Sequence, residues 1–239
     1  MAELSAAEVL ALLAQRAEDL AVVEGRRVRT RPLLDVPMYR DDRGLYVLSE
    51  SGRRYVMVDF ERPLMEASAR VACQRGGAIL NVGFGLGFFD EAVARVPTVT
   101  RHVIVEAHRQ VLDTMRAQGW MDRPGVEVVA SLWEDVNWSR YAGAFDGVFF
   151  DAYPFEGAGS PSVWWAVAKT ILRPGGVMVL YGPQLTEARA RRIASELGPH
   201  ARLSARPCVV EVPFVIPEWA DLGVGKHTIS VYAVTLEPG

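Results

Sequence analysis

From residue 78 onward, short continuous apolar runs alternate with helical patterns, and this alternation restricts the fold more than any other feature of the chain. AILNVGF (78–84), HVIVE (102–106), VEVVA (126–130), DGVFFD (146–151) and GVMVLY (176–181) are too short for buried helices and lack the polar alternation of half-exposed strands. Strands apolar on both sides must be covered on both faces, the condition of a parallel sheet whose crossovers are helices. Two last runs, PCVVEVPFVI (207–216) and HTISVYAVTL (227–236), lie too close together for a helical crossover and are expected to pair antiparallel. The expected class is α/β, with a mainly parallel seven-stranded sheet and an antiparallel last strand.

Residues 1–72 read differently. Ser5 and Glu8 form a capping box ahead of Val9, Leu10, Leu12 and Leu13, which predicts a helix. A basic stretch follows (Arg26, Arg27, Arg29, Arg31), then YVLSESGRRYVMV alternates as a hairpin with Ser51-Gly52 near its turn. A helix is expected from Pro63, whose fixed φ suits a first helical turn. We therefore expect 1–72 to be a helix-and-hairpin extension acting as a lid over an active site, and 73–239 to be the main domain, in one folding unit.

The net charge of −3 gives no footprint for nucleic acid or an anionic membrane. No apolar run approaches a membrane span and no basic n-region precedes one, so the expected location is the cytoplasm. Cys73 and Cys208 sit in helix and strand patterns and read as small core residues of a reducing compartment. The histidines show no ligand spacing, and no metal is expected.

The first chemical signal is Gly83-Phe84-Gly85-Leu86-Gly87, directly after the first core strand and opening a helix. Glycines let a backbone turn sharply and approach a ligand with no Cβ in the way. Glu106 ends the second strand, where a carboxylate can accept hydrogen bonds from ribose hydroxyls. A dinucleotide fingerprint wants glycine or alanine at position 88, which is Phe88 here. The glycine turn, the acidic strand end and Leu172-Arg173-Pro174-Gly175-Gly176 before the fifth strand together resemble a Rossmann-like class I methyltransferase.

The resemblance narrows with VMVDFERPLM (56–65), GGAILNVGFGLGFFD (76–90), HVIVEAHRQVLDTMRAQGW (102–120), LWEDV (132–136) and FDGVFFDAYP (145–154). These segments are similar, in order, to guanidinoacetate methyltransferases and to arginine δ-N-methyltransferases; no such match extends beyond about residue 184. The resemblance implies S-adenosylmethionine as cofactor, with S-adenosylhomocysteine as product. It implies that Met57 and Met65 flank the cofactor, that Gly83, Phe84, Gly85, Leu86 and Gly87 underlie its amino acid moiety and ribose, that Glu106 takes the ribose, and that Trp133 and Glu134 lie beside the adenine. For Trp133, Met57 and Met65 the residue types alone favour core packing.

On the acceptor side the resemblance implies that Glu61 and Asp151 grip a guanidine, with Tyr153 beside them. Chemistry agrees: a guanidinium stays charged to a pKa above about 12, and carboxylates hold its planar fork in pairs. A carboxylate can also take the proton the nitrogen sheds on methylation. Asp151 is assigned as base and Glu61 as clamp, the reverse remaining open. Glu61 also reads as a helix N-terminal acid favoured by the macrodipole. Both resembled families methylate the internal, alkyl-bearing nitrogen, so that regiochemistry is expected here. The chain lacks the N-terminal repeats of protein-modifying relatives, so a small molecule is expected: guanidinoacetate, arginine or an arginine-derived natural product. An amine, hydroxyl or carboxylate acceptor is the alternative, and a module without catalysis a further one. The sequence leaves the oligomeric state open, a homodimer included.

Overall fold

The computed structural model describes residues 22–23, 26–27, 34–49, 52–152, 161–181 and 185–237. The capping box at Ser5 and Glu8 and the candidate site residue Tyr153 lie outside them. Two short paired strands, β1 (Val22–Val23) and β2 (Arg26–Arg27), come first. The hairpin lies where its alternation placed it, β4 (Gly44–Ser49) pairing with β5 (Gly52–Val58), and β3 (Met38–Arg40) adds an outer strand. A 3-10 turn (Asp59–Glu61) leads into α1 (Arg62–Ala72), with Pro63 in its first turn.

The core strands β6 (Gly77–Val82), β7 (Val99–Glu106), β8 (Val126–Ala130), β9 (Phe145–Phe150) and β10 (Leu172–Leu180) coincide with the five apolar runs. Between them lie α2 (Phe88–Val93), α3 (Arg109–Ala117) and α4 (Pro161–Ile171); α5 (Glu187–Leu197) then leads to β11 (Ala201–Val212) and β12 (Gly225–Leu236). The seven strands run in the order β11-β12-β10-β9-β6-β7-β8. All pairs from β10 to β8 are parallel, while β12 lies antiparallel between β10 and β11. The Leu172–Gly176 step enters β10 through a register shift: Leu172 pairs with Phe145, and the next ladder pair is Val177 with Gly147.

The apolar runs are continuous because successive residues feed different cores. Leu80, Val103, Val148 and Met178 pack on one face with Val167, Ile171 and Ile193 of α4 and α5. Ile79, Phe149, Val177 and Val179 pack on the other with Leu64, Met65 and Val71 of α1 and Phe89 of α2. Trp120, Trp138, Phe145 and Phe149 are almost wholly buried, each contributing about 1.5–3 kcal/mol of burial free energy. Because α1 lies on this sheet, the core runs unbroken across residue 72, where the sequence places a domain boundary. Cys73 and Cys208 are buried and unbridged. Among the described residues no helix is long and apolar enough to cross a membrane.

Candidate active site

In the sheet the chain leaves β6 for β7 and β8 on one side, then crosses back to β9 and β10 on the other. The loops after β6 and β9 therefore diverge, and such a switch point opens a crevice at the carboxyl edge of a parallel sheet. The two strand ends meet there closely. The Asp151 N–H donates to the Val82 carbonyl at 2.9 Å. A Cβ on Gly83 would lie 2.3 Å from the Asp151 carbonyl oxygen, and its φ of +95° is itself hard for any other residue.

The glycine turn is pinned from three sides. The Phe84 N–H donates to Glu106 Oε2 at 2.9 Å, Leu86 N–H to Met57 Sδ at 3.3 Å, and Asn81 Nδ2 to the Gly83 carbonyl at 2.9 Å. Met57 lies so close beneath the turn that a Cβ on Gly85 would meet its Cε at 2.9 Å. Phe84 folds back under Gly87 and packs edge-on against Trp120, with ring centroids 5.4 Å apart. Asn81 also donates to both oxygens of the fully buried Asp90, a network the sequence reading missed. The signal was present: Asn81 lies amid apolar neighbours in the strand, and a polar residue there must find partners inside.

Glu106 is buried and does more than a strand-end acid need do. Besides Phe84, it accepts from the Ala107 and His108 N–H groups at 2.7 and 2.6 Å. Burial pushes its pKa above the ordinary range, while those three hydrogen bonds pull the other way. A carboxylate has about four acceptor positions, so one remains for a ribose hydroxyl. A tight glycine turn at the carboxyl edge of the sheet, beside a carboxylate with an acceptor position left over, fits an adenosyl-amino-acid cofactor.

Trp133 and Glu134 occupy the 3-10 turn Trp133–Asp135 after β8, and both are buried. The Trp133 indole stands perpendicular to Phe150 at 5.4 Å, bringing this turn to the residue before Asp151. Its carbonyl accepts from Trp138 Nε1 at 2.8 Å. Met65 is fully buried, in the apolar cluster between α1 and the sheet.

Glu61 and Asp151 come from different elements and interact electrostatically. Glu61 is 5% exposed, and its side chain turns back from α1 instead of capping it. Oε2 accepts from the Val58 N–H at 2.9 Å; Oε1 accepts from the Tyr181 hydroxyl at 2.7 Å and Trp219 Nε1 at 3.0 Å. Such a donor set goes beyond the helix N-terminal reading. Asp151 is half-buried, and burial, reinforced by the Glu61 charge, pushes its pKa up to about 8. Tyr181 and Trp219 were not anticipated. Tyr181 ended a predicted strand, and Trp219 sits in the segment joining β11 to β12, where a buried indole signals that the connection folds inward.

Residues 40–186, more than half of the chain, match the family model described as guanidinoacetate N-methyltransferase. A protein arginine N-methyltransferase 2 of Yarrowia lipolytica is 35% identical over 130 residues, which are 51% of this chain and 26% of that protein. Its namesake in Saccharomyces cerevisiae is 32% identical over 124 residues, 48% of this chain and 29% of that protein. The chain thus aligns with little more than a quarter of the length of these curated relatives. Among solved structures, spermidine synthase from Thermotoga maritima superposes with a TM-score of 0.56 at 12% identity, covering 85% of this chain and 72% of that one. A tRNA methyltransferase from Aquifex aeolicus gives 0.52 at 15% identity, covering 87% and 92%. At such identities these two likenesses show the fold alone.

Proposed function

Because the chain belongs to the guanidinoacetate N-methyltransferase family, and is thereby a class I S-adenosylmethionine-dependent methyltransferase, we propose that it methylates the alkyl-bearing nitrogen of a small guanidino compound. The observation that carries this reading is the pair of carboxylates, Glu61 and Asp151, brought together at the switch-point crevice from the entry segment and the end of β9. A guanidinium needs such a pair, since it is a permanent cation with donors on all three nitrogens. Glu61 and Asp151, engaging the terminal N–H groups, would leave the internal nitrogen free to face a methyl donor.

S-adenosylmethionine, when bound, supplies an electrophilic methyl group on a sulfonium. The residues that would hold it are Met57, Gly83, Phe84, Gly85, Leu86, Gly87 and Glu106, with Trp133 and Glu134 beside the adenine. Met65, having no exposed surface, would act through packing alone. Transfer replaces one guanidinium N–H by N–CH₃; the proton released passes to an oxygen of Asp151, and S-adenosylhomocysteine is the co-product. A base whose pKa lies near the working pH is the efficient one for this step.

Two expectations follow from these assignments. Glu106→Ala should weaken S-adenosylmethionine binding by about 1–3 kcal/mol in calorimetry, through the lost ribose acceptor and the released Phe84 N–H. The second concerns pH. With a pKa of about 8, Asp151 is protonated in the free protein at lower pH, and binding a cation must expel that proton. Affinity for guanidinoacetate, measured with S-adenosylhomocysteine present, should rise about tenfold per pH unit toward pH 8 and level off above it. A flat profile from pH 6 to 9 would remove Asp151 from the clamp.

The function itself is tested by offering ¹³C-methyl S-adenosylmethionine with guanidinoacetate, arginine, an arginine-containing peptide, and amine, hydroxyl and carboxylate compounds. Methylation of the free guanidino compounds is expected. Transfer confined to the peptide would shift the acceptor to protein arginine, and transfer to the non-guanidino compounds would overturn the reading.

A further inference from the structure

Two interacting carboxylates do not ionise alike; their surroundings decide which keeps its charge. Here the surroundings are unequal. Both oxygens of Glu61 receive fixed donors: the Val58 amide on Oε2, and the Trp219 indole N–H with the Tyr181 hydroxyl on Oε1. An amide and an indole can only donate, so neither gains anything from a proton on Glu61. Among the described residues no side chain or backbone group donates to the Asp151 carboxylate, whose electrostatic neighbour is Glu61.

Arg62 pairs with Glu91 and lies over the Phe88 ring, Arg43 lies over Phe214, and Asp59 is taken up by Arg40. Charge on Glu61 is supported by hydrogen bonds from the Val58 amide, the Trp219 indole and the Tyr181 hydroxyl, all neutral groups. Those donors are also packed into the core. Trp219 is fully buried, standing edge-on to Phe60 with centroids 5.1 Å apart, and Phe60 in turn stands edge-on to Phe214 at 5.3 Å. Tyr181 packs edge-on against Phe149 at 5.9 Å. Trp219 lies beyond residue 186, so this donor comes from outside the stretch that matches the family.

We propose that Tyr181 and Trp219 are positioning residues that keep the negative charge on Glu61 and so leave Asp151 as the group that takes the proton. The division of labour between clamp and base is then set by the segment joining β11 to β12 and by the residue following β10. This inference rests on the guanidino reading of the site for its consequence in turnover, though not for the proton placement itself.

The test is a carboxyl ¹³C NMR titration of the free protein labelled at Asp and Glu, assigned with Asp151→Asn and Glu61→Gln, then repeated in Tyr181→Phe and Trp219→Phe. In the parent protein Asp151 should titrate while Glu61 stays ionised. In either variant the Glu61 midpoint should rise and that of Asp151 fall, by at least about one pH unit. With guanidinoacetate as probe, kcat should drop at least about tenfold and its pH profile should move. S-adenosylhomocysteine affinity should stay as it was. Unchanged midpoints in a folded variant would overturn the proposal. Tyr181→Phe removes a single oxygen and carries the test alone if Trp219→Phe does not fold. Shifted midpoints in a protein that methylates no guanidino compound would uphold the proton placement and sink the functional reading instead.

Discussion

Asp151→Asn is expected to lower methyl transfer to a guanidino acceptor at least about a hundredfold, the scale of a lost general base. Asparagine keeps the shape of the strand end but cannot accept the proton that leaves the nitrogen. The backbone contact that joins β9 to the glycine turn, Asp151 N–H to the Val82 carbonyl, is untouched, so cofactor affinity should hardly move. Folding should not suffer either. The Asp151 side chain receives no hydrogen bond among the described residues, and burial with the nearby Glu61 charge already favours its neutral form, so a neutral asparagine costs the fold little. The variant should also lose the pH dependence of acceptor binding, since no proton then remains to be expelled. Near-normal rates at saturating acceptor would contradict the assignment.

Glu61→Gln should act differently, damaging acceptor binding, turnover and stability together. The amide has one acceptor oxygen where the carboxylate has two. If that oxygen stays with Tyr181 and Trp219, the new NH₂ faces the Val58 N–H, donor against donor. A buried donor left without an acceptor costs about 1–3 kcal/mol, to be read in denaturant titrations. The charged clamp is lost as well, so acceptor affinity should fall about 30- to 100-fold, the scale of hydrogen bonds between charged groups. The contrast between the two variants, one stable and slow, the other unstable and weak in binding, separates base from clamp.

The strands of the sheet could be read from the chain because burial on both faces leaves a continuous apolar run, as in β6, β7, β9 and β10, while β8 at the sheet edge is only partly buried. The start of β11 could not. Residues 202 and 204–207 are exposed and held by pairing with β12, not by burial, so no pattern marks them. The glycine turn and Glu106 are local signals, spelled within a strand–turn–helix unit. The further bonds of Glu106 to Ala107 and His108 were hidden because a carboxylate at a strand end looks the same whether its partners are ribose or backbone. Tyr181 and Trp219 stand 120 and 158 residues from Glu61, and only the folded sheet brings them to it. Glu61 can thus be singled out from sequence as a candidate, while the groups that donate to it cannot.

Two-dimensional NMR of the product formed from guanidinoacetate or arginine with ¹³C-methyl S-adenosylmethionine tests the central claim most directly. Two carboxylates on the terminal N–H groups leave the internal nitrogen in attack position, about 3 Å from the methyl carbon. The N-methyl protons should therefore correlate with both the guanidine carbon and the neighbouring methylene carbon. Correlation with the guanidine carbon alone would mean that a terminal nitrogen had reacted, and would contradict the placement of Glu61 and Asp151 around the acceptor.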